Sequence, residues 1–340
     1  MKLRILSRDN IKDAINMDMV MDAVEFVYKS KAEGKSIVWP TVFHDFDVGH
    51  KDMDIKSGYI SGKEVHGLKM INWTEANIAK GLPALVGLIL IFDTNTGMPL
   101  GLLDADFITG MRTGCAAAIV AKYLARPDSR NLMMLGTGHQ SPFLICAILK
   151  QFPKIEKVYV VNPINPEDSV KYAQTIWAKL MDELHFDAGR VMFKAVCGEQ
   201  ELAAAVSDSD IIATVTPARK PVIKKEWVRP GTHFSCIGAD MSGKEEIEPE
   251  IFADAVVYCD DKVQCSNVGE MEIPLKTGIL SQDDIAGEIG SLIVKNTHGR
   301  TSDNEITIYD ATGMALLDLA AAKVALDLAG KAGIGQVIDI

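Results

Sequence analysis

The chain has 340 residues, with 35 Lys and Arg against 46 Asp and Glu, a formal net charge of −11. At about 150 residues per domain this is roughly two domains, enough to bury a sizeable core. A hydrophobic share of 48% excludes wholesale disorder, and an acidic balance without a Lys/Arg block excludes the basic footprint of a nucleic-acid binder.

The start, Met1-Lys2-Leu3-Arg4-Ile5, runs straight into polar residues and lacks the pattern of a secretory signal. The longest apolar stretch, 82–92, is broken by Pro83 and Gly87 and falls short of the ~20 residues of a membrane span. Six cysteines without a C-x-x-C pair read as small buried hydrophobes in a reducing compartment, so a cytoplasmic protein is expected. Apolar positions Met17, Val20, Met21, Val24, Val27 and Tyr28 recur at helical spacing and predict an amphipathic helix ended by Gly34. The cluster His44, Asp45, Asp47, His50, Asp52 and Asp54 reads as a polar loop; no regular spacing converges it on a metal, and none is expected. Strands follow over 59–60, 65–73 and 85–92, then a turn at Asn95-Thr96-Gly97 and a buried helix over 113–125.

Arg126-Pro127-Asp128-Ser129 breaks that helix and is taken as a domain boundary. Beyond it, strands at 131–135, 157–161, 191–196, 211–215, 233–237 and 255–259 alternate with helical or turn segments, the pattern of a parallel sheet covered by helices on both faces. A last Ala/Leu helix over 312–329 is expected to return to the first domain. The expected division is therefore 1–125 with 310–340, interrupted by a nucleotide-type unit at 126–309.

The strand at 131–135 runs into Gly136-Thr137-Gly138-His139-Gln140-Ser141, a G-x-G-x-x-S between a strand and a helix. Such a loop lets backbone approach a pyrophosphate at a helix N-terminus, so Gly136, Thr137, Gly138, His139 and Gln140 are assigned to a dinucleotide. The next strand ends at Asn162, followed by Glu167 and Asp168 with no Arg, which favours NAD over NADP without excluding the latter. Thr214 and Gly238, near the ends of later strands, are assigned to the same cofactor.

Three charged residues break apolar patterns: Lys69 in a strand, Arg112 at the start of the buried helix, and Asp240 after the strand at 233–237. Each alone has an ordinary reading, as a side chain reaching water or capping a turn. Together they suit hydride chemistry on an amino or imino acid. Two cations would hold the substrate carboxylate, and a desolvated carboxylate with a raised pKa would move a proton.

The segments Gly67-Leu68-Lys69, Gly81-Leu82-Pro83, Thr96-Gly97-Met98-Pro99, Arg112-Thr113-Gly114, the GTGHQS loop, Gly238-Ala239-Asp240 and Thr312-Gly313 with Asp318 occur in an order that resembles the ornithine cyclodeaminase/mu-crystallin family over nearly the whole chain. The resemblance implies a homodimer with a Rossmann-type doubly wound parallel-sheet domain and a smaller α+β substrate and dimerisation domain. It implies that Lys69 and Arg112 face the substrate carboxylate, that Arg112 and Thr113 touch the cofactor, and that Asp240 is the catalytic acid/base. Many relatives carry Pro-x-Arg near position 40, where this chain has Pro40-Thr41-Val42, so Lys56 is nominated as a second substrate cation. The implied activity is an NAD(P)-dependent cyclodeaminase. The alternatives are an imine reductase or amino acid dehydrogenase, or a mu-crystallin-like protein that binds cofactor and ligand without turnover.

Overall fold

Strand β1 (Lys2–Leu6) passes through Ser7 into helix α1 (Arg8–Ala14), with Ser7 and Asn10 capping each other's backbone reciprocally. Asn16 caps α2 (Met17–Ala32) by accepting from the Met19 N–H at 3.1 Å, and the buried Met17, Val20, Val24, Val27 and Tyr28 form its apolar stripe. The computed structural model describes residues 1–48 and 50–340, Ile78 by its backbone alone, and divides the chain into two units. One comprises Met1–Arg112 with Met314–Ile340, the other Thr113–Gly313.

The first unit continues with β2 (Ser36–Val38), β3 (Val42–Asp47), β4 (Lys51–Ile60), β5 (Val65–Thr74), β6 (Leu85–Asp93) and β7 (Pro99–Asp104). The stretch expected as a polar loop is thus a strand pair, with His44 opposite Met53 and Asp45 opposite Asp52. Every residue of β3 is exposed, so the strand lacks the half-buried alternation by which sequence reveals a strand. Helix α3 (Asp106–Leu124) begins two turns earlier than expected, which places Arg112 inside it. The division of the chain also falls within α3, at Arg112/Thr113, and not at the Arg126-Pro127 break. Asp106 at its start pairs with Arg8 of the first unit, whereas the Leu124 carbonyl near its end accepts from Arg300 and Thr307 of the second.

The sheet of the first unit runs in the order C-terminal strand (Gln336–Asp339), β1, β7, β6, β5, β4, β2, with β3 also on β4. The C-terminal helix (Ala315–Ala332) lies on one face. A Cβ at Gly67 would stand 2.9 Å from Leu319 Cδ2 and 2.3 Å from the Leu90 carbonyl oxygen, so only glycine admits the helix this closely. Lys69, two residues on, shares that face. Register puts Ile55, Met70 and Leu88 side by side on the opposite face, with Leu68 and Leu90 in the next row.

The second unit carries β8 (Asn131–Leu135), α4 (Ser141–Gln151), β9 (Lys157–Val161), α5 (Pro166–Leu184), β10 (Met192–Val196), α6 (Glu199–Asp208), β11 (Ile211–Thr214), β12 (Arg219–Ile223), β13 (His233–Cys236), β14 (Glu245–Ile247), β15 (Ala255–Cys259), α7 (Lys262–Val268), α8 (Glu272–Thr277), β16 (Ile285–Glu288), α9 (Gly290–Lys295) and β17 (Ile306–Asp310). Eight strands form one parallel sheet in the order β10-β9-β8-β11-β13-β17-β15-β16, while β12 pairs β14 apart from it. The short apolar runs of β8, β9 and β11 are almost wholly buried, as expected of strands covered on both faces, and β13 is buried throughout. The strand order reverses between β8 and β11, and there the carboxyl ends of an open parallel sheet leave room for a ligand.

Candidate active site

In the first unit, the face of β5 that meets the C-terminal helix brings Lys69 to Asp318. The Lys69 ammonium donates to Asp318 Oδ1 at 3.0 Å, and Arg112 Nε, from α3, donates to the same oxygen at 3.1 Å. Lys69 is 2% exposed and Asp318 fully buried, so the pairing is little screened by water. Burial pulls the Lys69 ammonium down to about 8, against the Asp318 charge, with Arg112 and Lys56 pushing the same way as burial. Burial pushes the Asp318 carboxyl up, but the Arg112 and Lys69 charges outweigh it and hold it below the usual carboxylate range. Lys56 stands directly across the β4–β5 ladder from Lys69. Asp318 Oδ2, Asp54 Oδ1 and Thr109 Oγ1 are buried without a hydrogen-bond partner among the described residues. Three cations and two carboxylates therefore converge on one face of this unit, with polar capacity to spare. The sequence reading found the cations but gave no role to Asp318, the residue that gathers them.

In the second unit, Gly136 follows β8 at φ +116°, a conformation that side chains resist, and a Cβ there would lie 2.9 Å from the Val215 carbonyl oxygen. Its N–H donates to the Val161 carbonyl at 2.8 Å, which ties the loop to β9. Gly138 is exposed, with nothing within 4 Å of where a Cβ would stand, and α4 carries no side-chain cap. A bare backbone turn at an uncapped helix N-terminus suits a pyrophosphate, and so these residues fit a dinucleotide. Asn162 at the end of β9 donates to Thr137 Oγ1 at 2.9 Å and accepts from the Ile164 and Asn165 N–H groups, so it braces the loop from below. Gln140 Oε1 is buried without a partner among the described residues. His139 is exposed and Thr113 is buried in α3. Glu167 and Asp168 sit in the first turn of α5, where the helix dipole favours acids and Asn165 caps. Their presence is thereby explained without a ribose.

Asp240 lies in the loop after β13, and its side chain is 49% exposed and ion-paired with Lys244 at 2.5 Å. The expected desolvated carboxylate is not found at this position, because Lys244 four residues on supplies a counter-charge in a half-exposed loop. The buried carboxylates are elsewhere. Glu246 of β14 accepts from Thr214 Oγ1 at 2.6 Å, from the Thr216 N–H and hydroxyl at 2.6 and 2.7 Å, and from the Gly238 N–H at 3.1 Å. Glu270 accepts from the Glu246 and Ile247 N–H groups, and Asp310 from those of Glu270 and Met271. Burial pushes Glu246 up to about 7 and Asp310 up to about 8, and raises Glu270 well above its usual range with the Glu246 charge adding. Sequence reasoning missed Glu246, Glu270 and Asp310. The signal available was weak, because Glu246 stands in the run Glu245-Glu246-Ile247-Glu248, which reads as a solvated surface.

An all-parallel sheet with a glycine loop at its switch point defines a Rossmann-like α/β protein, here joined to a second unit that gathers cations. The chain belongs to the ornithine cyclodeaminase/mu-crystallin family, whose model matches residues 1–332. It is 34% identical over 339 residues to the alanine dehydrogenase of Archaeoglobus fulgidus, covering 99% of this chain and 98% of that one. Among solved structures, an archaeal alanine dehydrogenase dimer with bound NAD matches with a TM-score of 0.89 at 33% identity over 100% of each chain. The Delta(1)-pyrroline-2-carboxylate reductase of Thermococcus litoralis, in complex with NADH and L-proline, matches with a TM-score of 0.90 at 30% identity, covering 98% of this chain and 99% of that one.

Proposed function

We propose that the chain is an NAD(H)-dependent amino acid dehydrogenase or imino acid reductase acting on a small 2-imino or 2-amino acid. The observation that carries this reading is the buried Lys69–Asp318–Arg112 cluster, two cations held by one carboxylate, which offers net positive charge to a substrate carboxylate. Arg112 engages Asp318 through Nε, which leaves the two terminal nitrogens of its fork for a bidentate carboxylate. Lys56 adds a second lysine on the same face of the sheet. Bound NADH would supply hydride to the imine carbon, and NAD would accept it in reverse. Asp240 gives the imine nitrogen its proton in one direction and takes it back in the other, and Lys244 sets the charge around it. Thr214 and Gly238 would lie toward the nicotinamide half of the cofactor, and residues 136–140, with Asn162 behind them, would hold its phosphates. Arg112 and Thr113 complete the cofactor assignments.

NAD is favoured over NADP because Asn162 ends β9 without a neighbouring Arg, and the two matched structures carry NAD and NADH. Dehydrogenase or reductase chemistry is favoured over the cyclodeaminase route by the relatives at 30% identity and above. The protein works as a homodimer through the outer face of the first unit's sheet, where Val42, Val86 and Leu88 are about half exposed, since a patch of this kind marks an association surface. The six cysteines are all thiols, in keeping with a cytoplasmic location, and among the described residues no helix is long and apolar enough to cross a membrane.

The test is a panel of 2-oxo acids with ammonium or amines, cyclic 2-imino acids and diamino acids, followed by nicotinamide absorbance with NADH and NADPH in parallel. Net NADH oxidation with an imino acid is the expected result. Ammonia release from a diamino acid without net NADH change would replace it with the cyclodeaminase route, and cofactor binding without turnover anywhere on the panel would replace it with a binding protein.

A further inference from the structure

Glu246 is a fully buried carboxylate of the second unit that accepts four hydrogen bonds, and its partners belong to the strand ends assigned above to the nicotinamide half of the cofactor. One oxygen takes both the N–H and the hydroxyl of Thr216, just past β11. The other takes the Thr214 hydroxyl and the Gly238 N–H, just past β13. A Cβ at Gly238 would stand 2.5 Å from Glu246 Oε2 and 2.4 Å from the Thr216 carbonyl oxygen. Gly238 is thus a glycine because the carboxylate lies flat against it.

We infer that Glu246 is a positioning residue for the cofactor, an ionised clamp that holds the carboxyl ends of β11 and β13 in the shape the nicotinamide half requires. The inference rests on the cofactor reading above. Only the carboxylate can serve all four donors. A protonated oxygen becomes a donor itself and must reverse one threonine hydroxyl bond, which replaces a charge-assisted bond by a weaker neutral one and loosens the clamp, whereas an amide nitrogen in its place turns away a backbone N–H, and a buried unsatisfied N–H is costly.

The groups facing Glu246 sharpen the test. They are Cys236 of β13, Glu270 between α7 and α8, and Asp310 of β17, with Asp260 and Cys265 beyond Asp310. None is a cation, so burial without a counter-charge holds Glu246 at about 7. Acidification therefore acts in two opposite senses. Because Glu246, Glu270 and Asp310 bind protons more tightly when folded than unfolded, the fold gains stability as pH falls toward 6. Over the same range the clamp opens and cofactor binding weakens.

The experiment measures the Kd of NADH by fluorescence, and Tm in parallel, between pH 6 and pH 8.5 on the full chain and on Glu246→Gln. At pH 6 about one tenth of Glu246 is ionised, so the wild-type Kd is expected to rise about tenfold from its value at pH 8 while Tm rises. Glu246→Gln is expected to bind about tenfold more weakly at pH 8 and to show little pH dependence. A wild-type Kd flat across the range, a Kd and Tm that worsen together on acidification, or a Gln variant with wild-type affinity at pH 8 overturns the inference. Should Glu246→Gln fail to fold, the opposed movement of Kd and Tm in the wild type decides. Failure to bind NADH or NADPH at any pH overturns the cofactor reading itself, and this inference with it.

Discussion

Replacing Asp318 by Asn keeps the shape of the buried cluster and removes the one charge that Lys69 and Arg112 share. At 3.0 and 3.1 Å each attraction is worth about 5 kcal/mol at an effective dielectric of about 20, set against a desolvation cost of several kcal/mol per ion. The variant does not lose that whole sum, because Lys69 has an escape. It is already down from 10.5 to about 8, so one further step of about 1.4 kcal/mol leaves it neutral at pH 7. Arg112 loses its carboxylate partner with its side chain only 10% exposed. With about 2 kcal/mol for stranding that charge, the loss is about 3 kcal/mol, the lower end for breaking a buried pair. At about 2–4 °C per kcal/mol, Tm falls by roughly 10 °C at pH 7. Thermal melts from pH 7 to 9.5 check this, and the deficit shrinks above pH 8, where the wild-type Lys69 also sheds its proton. The neutral Lys69 raises KM for the carboxylate substrate about tenfold or more. A variant melting within about 2 °C of wild type, or a deficit that grows with pH, refutes the reasoning.

Asp240→Asn is expected to keep NADH affinity and lose most turnover, about 100-fold or more, as steady-state rates beside fluorescence binding will show. Gly136→Ala combines a φ of +116° with a Cβ 2.9 Å from the Val215 carbonyl, and should weaken NADH binding at least tenfold. Leu88→Lys on the outer face of the first unit's sheet should shift the protein from dimer toward monomer in light scattering, and a dimer unchanged at micromolar concentration would move the interface elsewhere.

What was legible in the sequence follows from which interactions leave a local pattern. The stripe of α2 and the buried strands β8, β9 and β11 are periodic or continuous in apolar residues, and they form as expected. The glycine loop is legible because a strand, a tight turn and a helix must follow one another in sequence. Lys69 and Arg112 were legible as breaks in apolar runs. The illegible parts are long-range: Asp318 meets Lys69 across 249 residues of chain, and the Glu270 N–H meets Asp310 across 40. A carboxylate satisfied by backbone N–H groups imposes no partner residue type, so nothing in the local sequence marks it. β3 escaped for the opposite reason, having no buried face to imprint alternation.

The same distinction changes how the acidic balance is understood. A formal charge of −11 counts every carboxylate as ionised, and bulk composition places the excess at the surface. Burial pushes Asp310 up to about 8 and Glu246 up to about 7, and raises Glu270 well above its usual range, so part of that formal charge is carried as protons inside the second unit at pH 7. Cations are spent differently. Lys69 and Arg112 are buried in the first unit around a single carboxylate. One unit stores protons beneath its strand ends and the other stores positive charge beneath a helix.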